Sequence, residues 1–147
     1  MLLREMKLVI RSVMSGSQSL RVLLVEDSSL LAERLKELIR RLPEVELVDT
    51  VDSEAEALRS VSASTPDVMI LDLHLRVGSG FGVLRALGRL AAPRPKIIIL
   101  TNFGLPEYRR EAETFGVEAF LDKSRDYHRL PSLLCSFARA PRAGEQH

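Results

Sequence analysis

The chain has 147 residues, enough to bury a sizeable core as one domain without disulfides or a structural metal. Apolar residues make up 46% and charged residues 28%, the balance of an ordinary soluble globular protein. A formal net charge of +1 gives no general reason to expect nucleic acid or an anionic membrane as partner, and basic pairs such as Arg40-Arg41 and Arg109-Arg110 read as solvated helix faces.

In residues 1–18, Leu2, Leu3, Met6, Val9, Ile10, Val13 and Met14 recur at helical spacing with Arg4, Glu5, Lys7 and Arg11 between them. Two readings stay open: an amphipathic helix for a partner or a membrane surface, or an extension outside the natural protein, with Met14 as an alternative start. Charges break the apolar run, so it makes a poor signal peptide. No run of about 18 apolar residues occurs, and no membrane span is expected.

From Leu20 onward strands and helices alternate. Arg21-Val22-Leu23-Leu24-Val25 is a near-continuous apolar run, the mark of a strand buried on both faces. Ser28 and Ser29 are candidate N-caps for a helix in which Leu31, Leu35, Leu38, Ile39 and Leu42 recur up to Pro43. Val45 to Val51 reads as a second strand. Ser53-Glu54-Ala55-Glu56 has the form of a capping box, and the helix it opens must stop before Pro66.

Val68-Met69-Ile70-Leu71 is a third buried strand, and Gly78, Gly80 and Gly82 punctuate a loop leading into a helix with Phe81, Val83, Leu84 and Leu87. Ile97-Ile98-Ile99-Leu100 is a fourth strand. A helix from about Pro106 to Phe115 ends at Gly116, a left-handed stop. Val117 to Leu121 makes a short fifth strand, and a last helix from about Leu130 to Ala138 accepts Pro131 in its first turn. Cys135, the lone cysteine, lies in that apolar helix; it excludes an internal disulfide, fits a reducing cytosol and reads as a packed thiol. Five strands separated by helices predict an α/β fold, a doubly wound five-stranded parallel sheet with helices on both faces.

In such sheets ligands bind beyond the carboxyl ends of the strands. Glu26-Asp27 end the first strand there, Asp72 the third, Thr101-Asn102 the fourth and Asp122-Lys123 the fifth. Three clustered carboxylates call for a divalent cation, and an all-oxygen site suits Mg²⁺ or Mn²⁺. A carboxylate beside such a cation can attack phosphorus and hold an acyl phosphate, with an ammonium and a hydroxyl stabilising the phosphoryl oxygens. Taken singly, Glu26 and Asp27 read as helix caps, Asp72 as a loop acid, and Thr101 or Lys123 as uninformative. Their joint placement carries the signal.

These residues resemble the receiver domain of two-component response regulators. Val22-Leu23-Leu24-Val25-Glu26-Asp27-Ser28 resembles the family's acidic-pair motif, and Val68-Met69-Ile70-Leu71-Asp72-Leu73 its phosphoacceptor strand, with Gly80 at the glycine position eight residues beyond. Ile98-Ile99-Leu100-Thr101 is similar to the segment with the switch hydroxyl, and residues 116–124 to the final motif with its lysine, Lys123. The match covers about Leu20 to Phe137. It implies a flavodoxin-like (βα)5 receiver over residues 19–139, with a helical or disordered extension over 1–18 and a short disordered tail over 140–147.

The resemblance implies that Asp72 accepts a phosphoryl group from a phosphohistidine, on a sensor histidine kinase or a histidine phosphotransfer protein. It implies Mg²⁺ bound by Glu26, Asp27, Asp72 and the backbone carbonyl of His74, with Lys123 pairing with the acceptor or the phosphoryl group. Thr101 and Phe120 would be the switch residues. Two departures from the family stand out: Ser124 follows the lysine where proline is common, and Arg76 lies four residues after Asp72 where proline is frequent. The His74 imidazole reads as solvent-facing, and the glycines at 78, 80 and 82 as a flexible loop.

The polar stretch after Phe137 leaves no room for an output domain, so a cytoplasmic stand-alone switch, chemotaxis-regulator-like and without direct nucleic-acid binding, is expected. It would act on a downstream protein target, with a homodimer left open, and would be no enzyme beyond its own phosphorylation and dephosphorylation. The alternative is a pseudo-receiver, a constitutive interaction module that is never phosphorylated. An aspartyl-phosphate phosphatase or phosphotransferase ranks last, because Leu73 and His74 follow Asp72 where a second acid would be needed.

Overall fold

The computed structural model of the chain describes residues 3–6, 19–102 and 104–140. The elements from Leu20 on are β1 (Leu20–Val25), α1 (Ser29–Arg40), β2 (Val45–Val51), α2 (Glu54–Ser64), β3 (Val68–Leu71) and α3 (Gly80–Leu87). They continue with β4 (Lys96–Thr101), α4 (Pro106–Glu113), β5 (Ala119–Asp122), a 3₁₀ turn (Tyr127–Arg129) and α5 (Leu130–Arg139). Residues 3–6 are helical and exposed; the rest of the expected N-terminal extension, and the expected tail from residue 141, lie outside the described residues.

The strands pair in parallel in the order β2-β1-β3-β4-β5. Successive strand residues point to opposite faces, so the apolar runs seen in the sequence feed two cores. On one face Leu23, Val25, Met69, Leu71, Ile97 and Ile99 pack with Ala57 and Val61 of α2, Val83 and Leu84 of α3, and Ala112 of α4. On the other, Val22, Leu24, Ile70, Ile98 and Leu100 pack with Leu35 and Ile39 of α1 and Leu130 and Leu134 of α5. Each fully buried aliphatic side chain contributes about 1.5–3 kcal/mol, which is why strands this apolar are stable only when covered on both sides. The doubly wound sheet expected from the sequence is the observed fold.

Helix boundaries follow local chemistry. Ser28 and Ser53 are the N-caps of α1 and α2, accepting from Leu31 N and Glu56 N at 3.3 Å each. α2 ends at Thr65, which takes a left-handed φ of 43° before the buried Pro66. Two expectations need correction. Gly80 and Gly82 are not in a loop: Ser79 accepts from Gly82 N at 2.9 Å and starts α3 at Gly80. Strand β5 begins at Ala119 rather than Val117, because the chain spends residues 114–118 turning out of α4 through Gly116 at φ +73°.

Candidate functional site

The strand order reverses between β1 and β3, and a parallel sheet opens a crevice beyond its carboxyl edge at that point. The sheet's hydrogen bonding continues one residue past each strand there. Glu26 N donates to Val51 O at 2.9 Å, Asp72 N to Val25 O at 3.1 Å, and Lys123 N to Thr101 O at 2.9 Å. Backbone bonding therefore fixes the positions of these three side chains before any of them interacts.

Asp72 and Glu26 are 5% and 4% exposed, and Thr101 is fully buried. Lys123 bridges the two acids, with Nζ 2.7 Å from Asp72 Oδ2 and 2.7 Å from Glu26 Oε1. The second oxygens are also engaged: Asp72 Oδ1 accepts from His74 N at 3.1 Å, and Glu26 Oε2 from Ser28 N at 2.9 Å. Buried charges are tolerated when paired and hydrogen-bonded in this way.

Burial pushes the Glu26 carboxyl above its ordinary range, although the Lys123 and Ser28 hydrogen bonds pull the other way. Burial also disfavours the Lys123 charge, but its hydrogen bonds to Asp72 and Glu26 outweigh that and hold the ammonium above the usual lysine range.

Carboxylate oxygens of Glu26, Asp27 and Asp72 come within 4.8 Å of one another, Asp27 being the half-exposed member. This all-oxygen set suits a hard divalent cation such as Mg²⁺ and offers no nitrogen or sulfur to a softer one. Asp122, which shares the sheet edge, is turned elsewhere. Its Oδ1 accepts from Ser124 Oγ at 2.5 Å and Ser124 N at 2.8 Å, which holds its carboxyl below the usual range.

The remaining sequence-derived residues fall around this centre. The His74 ring is exposed, as expected, and lies against Tyr108 of α4 at 5.8 Å between centroids. Phe120 is buried, with the Arg109 guanidinium 4.7 Å from its ring centroid. Gly80 packs its backbone on the loop that follows β3, donating to Leu73 O at 3.0 Å. A Cβ there would stand 2.7 Å from Leu73 Cα and collide with the Asp72 carbonyl. Three contacts were not readable from the sequence: Tyr108 on His74, Arg109 on Phe120, and Arg76 on the Asp27 carbonyl. α4 is amphipathic in pattern, and nothing in a helical period names which strand residue a given side chain will reach.

A family model of the response regulator receiver domain matches residues 22–134. The chain belongs to the response regulator receiver family. It is 31% identical over 108 residues to the sensory transduction protein LytT of Bacillus cereus, a match covering 74% of this chain and 40% of that protein. It is also 31% identical over 116 residues to protein-glutamate methylesterase/protein-glutamine glutaminase 1 of Carboxydothermus hydrogenoformans, covering 78% and 34%. Among solved structures it resembles the signal receiver domain of a LuxO repressor protein from Vibrio parahaemolyticus. There the TM-score is 0.74 at 30% identity, over 82% of this chain and 91% of that one.

The chain thus spans well under half the length of these two curated relatives, and what it shares with them is the receiver. Receiver domains bind Mg²⁺ at an acidic pocket, and this chain has an acidic cluster of Glu26, Asp27 and Asp72. Among the described residues no helix is long and apolar enough to cross a membrane.

Proposed function

We propose that this receiver accepts a phosphoryl group on Asp72 and uses it to switch a protein-binding surface in two-component signalling or a phosphorelay. The observation that carries this reading is the Lys123 ammonium held 2.7 Å from both Asp72 and Glu26 at the buried end of β3. A carboxylate there is oriented by the His74 N–H and has a cation ready for the phosphoryl oxygens.

In the transfer, an Asp72 carboxylate oxygen attacks phosphorus, the bond from phosphorus to the donor nitrogen breaks, and the donor imidazole leaves with the electron pair. Mg²⁺, held by Glu26, Asp27, Asp72 and the His74 carbonyl, would supply charge neutralisation to the phosphoryl group. Lys123 then exchanges part of its pairing with Asp72 for a phosphoryl oxygen. Thr101 offers its hydroxyl to another, and Phe120 on the adjacent strand carries the change outward.

The donor in this reading is a histidine kinase or histidine phosphotransfer protein, the recipient of the signal a downstream protein, and the setting the cytoplasm, with residues 19–139 as the receiver unit. Incubation with acetyl phosphate and Mg²⁺, followed by intact-protein mass spectrometry, tests the acceptor. A Mg²⁺-dependent gain of one phosphoryl group, absent in Asp72→Asn, is expected. No gain by the native chain would sink the reading and leave a constitutive binding module.

A further inference from the structure

The loop between β3 and α3 carries Arg76, an exposed residue whose guanidinium reaches the backbone of Asp27 just beyond the carboxyl end of β1. Its Nη2 lies 3.4 Å from the backbone oxygen of Asp27, one of the three clustered acids. A bond this long and this exposed is weak, so the guanidinium can leave it at little cost. The inner cation, Lys123, is by contrast nearly buried and already shared between Asp72 and Glu26.

An anionic phosphodonor must approach three carboxylates whose one buried ammonium is committed. A planar guanidinium at the rim has the donor geometry to grip two phosphoryl oxygens at once. We propose that Arg76 is the entry cation of the site: it binds the phosphoryl group of the incoming donor and orients it for transfer to Asp72. This role rests on Asp72 being the acceptor.

A purely structural role, Arg76 as a strap holding the Asp27 loop, predicts something different. Both roles predict that losing Arg76 weakens donor binding, but they differ in sign for Mg²⁺. A strap that preorganises Asp27 would favour Mg²⁺ binding, whereas a cation beside three carboxylates opposes it.

The test compares the native chain with Arg76→Gln and Arg76→Lys. Mg²⁺ affinity is measured calorimetrically without any donor, and the half-saturating acetyl phosphate concentration from mass-spectrometric time courses at saturating Mg²⁺. For Arg76→Gln we expect the half-saturating concentration to rise about threefold to fivefold, the plateau rate to stay within about twofold, and Mg²⁺ to bind about twofold to threefold more tightly. Arg76→Lys keeps the charge but loses the two-pronged grip, so its Mg²⁺ affinity should stay near native while its half-saturating donor concentration falls between the native and Arg76→Gln values. The differences should shrink at about 0.5 M salt. Unchanged or weaker Mg²⁺ binding in Arg76→Gln, or an unchanged donor requirement, overturns the proposal. Failure of the native chain itself to take up phosphoryl overturns the acceptor reading and this role with it. Normal uptake indifferent to Arg76 overturns this role alone.

Discussion

Glu26 is the acid whose surroundings differ most from water: 4% exposed, bonded to Lys123 and to Ser28 N, and pushed upward by burial. Between the ordinary Glu range near about 4.3 and its raised value, the folded chain binds more protons than the unfolded one. The stability Glu26 contributes is therefore present at acid pH and lost as pH rises through that window. Lys123 has no part in this trend: its raised value keeps its contribution intact up to about pH 10.4, to be lost only above. In Mg²⁺-free urea unfolding followed from about pH 4 to about pH 7, Glu26→Gln should gain stability relative to the native chain as pH rises above the ordinary Glu range. A constant difference across that range would show that burial does not shift the carboxyl. The type and spacing of Glu26, Asp27, Asp72 and Lys123 were legible in the sequence. Which carboxylate the lysine would contact was not, because that depends on side-chain reach across a gap set by strand spacing.

Two glycines show how elements constrain the site in different ways. Gly80 opens α3 directly against the backbone of Asp72 and Leu73, where a Cβ has no room. Gly116 ends the turn out of α4 at φ +73°, and a methyl group added there would meet nothing within 4 Å. Gly80→Ala should cost about 2–3 kcal/mol through overpacking and, in the proposed function, disturb phosphoryl uptake, since the backbone of Asp72 and Leu73 must shift. Gly116→Ala should cost only about 1–2 kcal/mol, through left-handed backbone strain, and leave uptake near native. Urea midpoints and the acetyl phosphate assay separate the two; equal losses of uptake would contradict the assignment. In the sequence Gly80 and Gly82 read as loop because glycine is a poor helix former. The Ser79 cap and close packing on β3 override that preference.

Over the whole molecule the sheet is the rigid body and stability is graded from its centre. β1, β3 and β4 each have a strand on either side and a core on both faces, whereas β2 and β5 are edges and α4 buries only Ala112. Amide hydrogen exchange should be slowest in β1, β3 and β4, near the limit of global unfolding, and much faster in α4. Protection of α4 equal to that of β3 would contradict this gradient.

Apolar runs such as Val68–Leu71 and Lys96–Thr101, together with caps and prolines, determined the element types and the doubly wound sheet, because burial on both faces leaves no other use for such strands. The same pattern put the acids and the lysine at the carboxyl edge. The tertiary structure alone decided that Lys123 lies between Glu26 and Asp72 while Asp122 turns away, that Arg109 covers Phe120, and that Arg76 reaches Asp27. Residue 76 is 49 positions from residue 27, and Lys123 is 51 from Asp72. Contacts that distant in the chain are set by the order in which strands pair and by the direction in which each side chain leaves its element, and a local periodicity contains neither.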